Sequence, residues 1–271
     1  MESNLLIPIK SRILYQSAAC VVVNKLVGEA VEGAMGGMRD LQEEIKNMKL
    51  EIKNKELGNN NEQLTDNSEQ LAKSNEQLEN NKEKTRNMVE VVEAVHRLDV
   101  PVTGCALFAL TKDALSFLNA AFAGDTSLPC PVEKTYWAVI EKPSRPLPES
   151  GEFVHWIETV SGKNKSFAHK KDGPGRKKAV LRYRVTGEGR NYLFVEVQLL
   201  SGRHHQIRAQ FAAEGLHIKG DLKYGAKRSE KGGGIRLHAR SLFFPDPLNR
   251  GEIIRVTAEP PVMDNLWKGF E

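Results

Sequence analysis

No aromatic residue lies between Tyr15 and Phe108, and within that span a leucine recurs every seven residues, at Leu50, Leu57, Leu64, Leu71 and Leu78. The middle of the span is therefore compositionally separate from everything else in the chain. The last three leucines close near-identical units, Asn61-Glu62-Gln63-Leu64, Ser68-Glu69-Gln70-Leu71 and Asn75-Glu76-Gln77-Leu78. With leucine at heptad position d, position a is Asn54, Asn61, Ser68 and Asn75. A coiled coil tolerates one polar a residue but loses most of its driving force when each of them is polar. Half of the core that would offset the chain's ordering entropy is then missing. Residues 38–88 read as a solvated, partly helical insertion that grew by repeat expansion, in preference to a dimerisation zipper. The folded body must come from 1–37 and 89–271.

In those two blocks the pattern is one of strands and short helices. Ile13-Leu14-Tyr15 and Cys20 to Asn24 look like two strands joined by a turn, and Cys105 to Thr111 is an apolar strand. Thr111 can N-cap a helix whose apolar positions Ala114, Phe117, Leu118, Ala121 and Phe122 follow helical spacing, with Gly124 at its end. Strand-like runs follow at 134–141, 152–160, 178–186, 192–200, 235–244 and 252–258, with a short helix from about His204 to Glu214. The short Glu188-Gly189-Arg190 connection fits a hairpin. Many strands and few helices without regular alternation predict an α+β fold with a mixed, largely antiparallel sheet. A β-barrel with accessory helices is the alternative.

The formal net charge of +4 is unevenly spread: residues 38–88 hold 9 Lys/Arg against 11 Asp/Glu, which leaves +6 on the remainder. Residues 161–184 carry Lys163, Lys165, Lys170, Lys171, Arg176, Lys177, Lys178, Arg182 and Arg184 against one acid, Asp172. Such a stripe attracts a polyphosphate backbone and gains from counterion release; it also suits a solvated hairpin edge. Cys20, Cys105 and Cys130 lie far apart with no CxxC pair, and the seven histidines show no HExxH spacing, so neither a disulfide framework nor a metal site is expected. The apolar pieces Leu5 to Ile9 and Cys20 to Val23 are too short to span a bilayer. A cytoplasmic protein is the resulting expectation.

Two segments pack polar residues and glycines between apolar runs: His96-Arg97-Leu98-Asp99-Val100-Pro101-Val102-Thr103-Gly104, and Ser201-Gly202-Arg203-His204-His205-Gln206-Ile207-Arg208 continuing to Gly220-Asp221-Leu222-Lys223-Tyr224-Gly225. The first offers a carboxylate beside a cation in a tight loop, although Arg near Asp is more commonly a surface ion pair. In the second, Arg203 and Arg208 are five residues apart, about 500° of helical rotation, and so do not share a face. One can reach a phosphate while the other turns inward to a carboxylate.

These segments resemble the RluA-type family of pseudouridine synthases. Lys134-Thr135-Tyr136, Ile13-Leu14-Tyr15, Val22-Val23-Asn24-Lys25 and Leu237-His238-Ala239 fall in the family's order too, so the likeness covers about 12–35 and 89–260. The resemblance implies a sheet bisected by an RNA-binding cleft, and isomerisation of uridine to pseudouridine in rRNA or tRNA without metal, nucleotide or redox cofactor. It implies Asp99 as the catalytic carboxylate, Arg208 as the ion-pair partner that keeps it charged, and Tyr136 against the uracil ring. Arg97 would hold the flipped nucleotide, and Arg203, His205, Gln206 and Ile207 would contact substrate.

Leu26 stands where the family usually has proline, His204 where it has Thr or Ser, and Asp246 where histidine is common. The first strand begins near Arg12, leaving no room for an S4-type RNA-binding domain before it, so recognition is expected to fall on the catalytic domain, its basic hairpin or a partner. The insertion is expected to project from the cleft as a tether, on a protein that acts as a monomer. An RNA-binding protein without catalysis, and an interaction protein organised by the heptads, are the other two readings.

Overall fold

The strand Thr103–Ala109 is buried at all of its positions, and the architecture follows from covering both of its faces. The computed structural model describes residues 7–35, 38–61, 91–128 and 130–270. Its strands are β1 (Ile13–Gln16), β2 (Cys20–Lys25), β3 (Glu93–Ala94), β4 (Thr103–Ala109), β5 (Glu133–Glu141), β6 (Ser150–Val160), β7 (Lys165–His169), β8 (Arg176–Glu188), β9 (Tyr192–Leu199), β10 (Leu237–Pro245) and β11 (Ile253–Thr257). They form one sheet in the order β1-β2-β4-β10-β5-β9-β8-β6-β7, with β3 on β4 and β11 on β10. β4 and β10 run parallel while the neighbouring pairs are antiparallel, so the sheet is mixed and largely antiparallel, as expected. Among the described residues it has free edges at β1 and β7, which excludes the closed barrel.

The parallel contact is brief: His238 pairs with Thr103 and Ala239 with Gly104, after which β10 turns to β11. At this junction a β-carbon on Gly104 would lie 2.2 Å from the Ala239 carbonyl oxygen, and Gly104 has φ +111°. Only glycine permits both the approach and the dihedral. Gly104→Ala is expected to destabilise the fold by about 2–4 kcal/mol, read as a lowered urea midpoint at unchanged m-value.

Helix α2 (Lys112–Ala123) covers one face of the sheet. Thr111 caps it by accepting from the Ala114 N–H at 3.1 Å, and Gly124 ends it in the left-handed region at φ 84°, both as the sequence predicts. Phe117 and Leu118 pack there with Cys20, Cys105, Leu107, Leu242 and Phe244. The opposite face carries α1 (Leu41–Asn61) and α3 (Gln206–Ala213).

Helix α1 lies within the stretch 38–88 and packs on the sheet. Leu41, Ile45 and Met48 recur at i, i+4 and i+7 and are buried in the main core with Val21, Val23 and Phe108. The apolar stripe explains why this turn docks, and Asp40 caps it through the Glu43 N–H at 3.2 Å. The chain that begins at 38 is thus anchored to the sheet before it becomes low-complexity. Leu50, the first heptad leucine, is exposed; Leu64, Leu71 and Leu78 lie outside the described residues, as does the stretch expected to act as a tether.

Candidate active site

Asp99 stands in the loop that enters β4, where β4 and β10 meet. The backbone of this loop is held from three directions. The Val102 N–H closes a turn onto the Asp99 carbonyl at 2.9 Å, while the Gly28 N–H donates to Val100 at 3.1 Å and the Ile235 N–H to Pro101 at 3.1 Å. A further hold from outside the loop is Lys25, fully buried at the end of β2, whose Nζ donates to the carbonyls of Leu26 (3.0 Å), Val100 (3.0 Å) and Val102 (2.6 Å). Burial lowers its pKa from 10.5 to about 7, against the opposing pull of Glu29 and Asp99.

Leucine in place of proline at 26 has a local use. The Leu26 N–H, which proline lacks, donates to Glu29 Oε2 at 2.8 Å. The same oxygen takes Arg12 Nη1 at 2.8 Å, and Arg39 bridges Glu29 to Glu44 of α1.

Lys25→Met should orphan three carbonyls, and each buried acceptor left unpaired costs about 1–3 kcal/mol. The pH dependence has a definite sign. A folded pKa below the unfolded one means that the unfolded chain holds the extra proton between pH 7 and 10.5, so Lys25 adds stability as pH rises through that window. The stability gap between wild type and Lys25→Met is expected to widen from pH 7 to 10 in denaturation experiments.

Arg208, on the first turn of α3, is the centre of the polar site. Its Nη1 meets Asp99 Oδ2 at 2.9 Å, while Nε and Nη2 form a fork onto Asp221 Oδ2 and Oδ1 at 2.6 and 2.9 Å. Burial works against its charge, but the hydrogen bonds and charges of Asp221 and Asp99 outweigh it and raise its pKa. The guanidinium also lies 4.9 Å above the Tyr224 ring. Asp99 is 22% exposed against 5% for Arg208 and 2% for Asp221. Its Oδ2 is engaged, and its Oδ1 has no hydrogen-bond partner among the described residues.

Two other groups face this carboxylate. His205 Nε2 is 3.6 Å from Asp99 Oδ2, its Nδ1 is 2.9 Å from the Tyr224 hydroxyl, and the residue sits in the left-handed region at φ 53° immediately before α3. Burial lowers its pKa to about 4, so it is neutral at physiological pH. Tyr136, buried on β5, has its pKa raised first by burial and then by the charge of Asp99.

The remaining residues implied by the family likeness divide between surface and interior. Arg97 is 77% exposed, 3.8 Å from Glu32. Arg203 is exposed, with Nε on the Lys178 carbonyl at 3.1 Å. Gln206 is hydrogen-bonded within the protein. Its Oε1 accepts from Ser201 Oγ and the Arg203 N–H, and its Nε2 donates to the Val180 carbonyl, because a buried amide must be satisfied locally. Ile207 lies in the main core that also holds Tyr136. Helix α3 begins at Gln206, two residues later than the sequence suggested.

Asp221, Tyr224 and Lys25 were not singled out as site residues from the sequence. The Gly220-Asp221 and Tyr224-Gly225 pairs and the Asn24-Lys25 pair were the signals available. Thr103 and His238 form a further buried link. The His238 Nε2–H donates to Ala258 at 2.9 Å, so Nδ1 accepts from the Thr103 hydroxyl at 2.7 Å.

Residues 19–213 match the family described as RNA pseudouridylate synthase. An uncharacterized RNA pseudouridine synthase of Mycobacterium bovis is 33% identical over 178 residues, 64% of this chain and 54% of the relative. Ribosomal large subunit pseudouridine synthase D of Zymomonas mobilis is 28% identical over 64% of this chain and 55% of its own length. The chain thus spans about half the length of these curated relatives. The solved structure of human RNA Pseudouridylate Synthase Domain Containing 1 superposes with a TM-score of 0.64 at 20% identity, covering 98% of this chain and 89% of that one, which shows a shared fold. The chain belongs to the RNA pseudouridylate synthase family, of RluA type.

Proposed function

We propose that this chain isomerises uridine to pseudouridine in rRNA or tRNA, with Asp99 as its catalytic carboxylate. The observation that carries the reading is the state of Asp99: one oxygen is anchored by a doubly clamped arginine, and the other is open at a partly exposed position. The base must leave its stack to reach such a group, an extrusion costing a few kcal/mol, and exposed Arg97 and Arg203 would hold the strand. In the reaction the C1′–N1 bond breaks and a C1′–C5 bond forms. The C5 proton is released and N1 gains a proton, so no outside reagent enters the balance. Asp99 Oδ1 serves either as nucleophile or as electrostatic support for glycosidic cleavage. Because Tyr136 is held as the neutral phenol, we assign it, with Ile207, the wall against the uracil ring in preference to proton acceptance.

The chain would act in the cytoplasm as a monomer; no described helix is long and apolar enough to cross a membrane. Mapping pseudouridines in cellular RNA with the chain deleted, restored, and restored as Asp99→Asn tests the reading. The modified positions should vanish on deletion and return only with wild type. An identical pattern from wild type and Asp99→Asn sinks the role of Asp99, and a pattern that deletion leaves unchanged leaves an RNA-binding protein of the same fold.

A further inference from the structure

Lys134 is a half-buried cation that the site described above does not use. It lies on β5 two residues before Tyr136 and therefore on the same face of the strand, about 7 Å further along. Its Nζ is 5.4 Å from the centroid of the Phe122 ring, and that ring stacks on His96 at 5.2 Å. On its other side is Gly202, where an added β-carbon would sit 3.7 Å from Nζ and meet nothing else within 4 Å. The ammonium thus stands between the segment that carries Asp99 and the loop that leads into Arg208.

Other shielded cations of this protein have partners: Arg12 has Glu29, Arg39 has Glu44, Lys219 and Arg236 have Glu230, and Lys25 has three carbonyls. Lys134 has neither a carboxylate within 4 Å nor a hydrogen-bond acceptor among the described residues. Burial accordingly lowers its pKa with no counter-charge opposing it. His96 offers no anion, since its Nε2 already accepts from the Leu107 N–H at 3.2 Å. Three donors with no acceptor, opening onto the space that Gly202 leaves clear, suit an anion that arrives from outside.

We propose that Lys134 and the open face of Gly202 form the seat of a backbone phosphate of the RNA strand, next to the uridine that reaches Asp99. The proposal rests on the isomerase reading for the identity of the strand. Phosphate contacts fix register on a nucleic acid, and a seat one pleat from Tyr136 sets where along the strand the flipped base falls.

A labelled single-stranded RNA with one uridine in an adenosine run is the probe, its affinity measured across a series of KCl concentrations. Lys134→Met should flatten the slope of log K against log salt by about 0.7, the contribution of one phosphate contact on a single strand, and Lys134→Arg should restore it. Gly202→Ala has no strained dihedral and only an ordinary contact with the ammonium, so it should fold while binding more weakly. Replacing a phosphate beside the uridine with methylphosphonate should weaken wild type and leave Lys134→Met unaffected at one position. An unchanged slope in Lys134→Met, multiplying losses at every phosphate, or no binding by wild type overturns the seat. Pseudouridine mapping reports separately: modification with an unchanged slope removes the seat alone, whereas a lost slope without any modification keeps the seat and removes the isomerase.

Discussion

Asp99→Asn is expected to lower kcat by about four orders of magnitude while RNA affinity changes less than about threefold. The amide preserves shape and can still accept from Arg208 Nη1, but it offers no charge to the nucleotide and is not a nucleophile. Folding should be nearly untouched, because Arg208 keeps its fork onto Asp221 and position 99 is partly exposed. Single-turnover conversion of a substrate RNA, identified first by mapping, separates the rate from binding. A variant that retains a tenth of the wild-type rate would place the chemistry on another group, with Asp99 reduced to an ion-pair partner of Arg208.

Arg208→Met should have the largest effect on stability. It leaves Asp221, 2% exposed, and Asp99 facing each other without a cation, and breaking a buried pair by removing one partner costs about 3–5 kcal/mol. In a domain of this size that corresponds to a melting point lower by about 10 °C. Arg208→Lys should fold better yet remain slow, because one ammonium cannot hold both the fork on Asp221 and the separate bond to Asp99. Asp221→Asn completes the set. It weakens the clamp without stranding an acid, so it should cost less stability than Arg208→Met while slowing catalysis through a mobile Arg208. Urea denaturation and single-turnover rates on the three variants check the order, and a fully stable Arg208→Met would show that the two carboxylates find other support.

The contrast between α2 and α1 shows which kind of information was local. Thr111, the spacing of Ala114, Phe117, Leu118 and Ala121, and Gly124 sit within one short segment, and each acts through contacts a few residues away. The helix could be read to within a residue of its ends. Helix α1 carries an equally regular stripe at Leu41, Ile45 and Met48, but the leucine heptad that follows it set the reading for the whole of 38–88. Whether a stripe docks depends on a sheet built from residues far away in the chain, and composition contains no trace of that surface.

The same division runs through the site. Asp99, Tyr136 and Arg208 could be named as candidates because they sit in dense, ordered motifs. The geometry of Arg208 extends the sequence argument that two arginines five apart must face different ways: Arg208 turns inward and Arg203 lies at the surface. Gln206, taken from the same motif as a substrate contact, proved to be occupied by Ser201, Arg203 and Val180. Motif membership does not say which way a side chain points, since that depends on which polar groups the surrounding fold leaves unpaired.

The amino-acid sequence alone determined the class of sheet, the capped helix and the order of the motifs, and it offered Asp99 as the candidate carboxylate. Each of these rests on patterns within a few residues or on motif chemistry. Only the tertiary structure decided that Asp221 completes the clamp on Arg208, that Lys25 holds the loop of Asp99, and that Lys134 stands beside Gly202 with no anionic partner among the described residues. Those three facts depend on distances between segments separated by 13, 75 and 68 residues. Burial then sets their chemistry: in low dielectric a charge is held only by the partners that the fold brings to it.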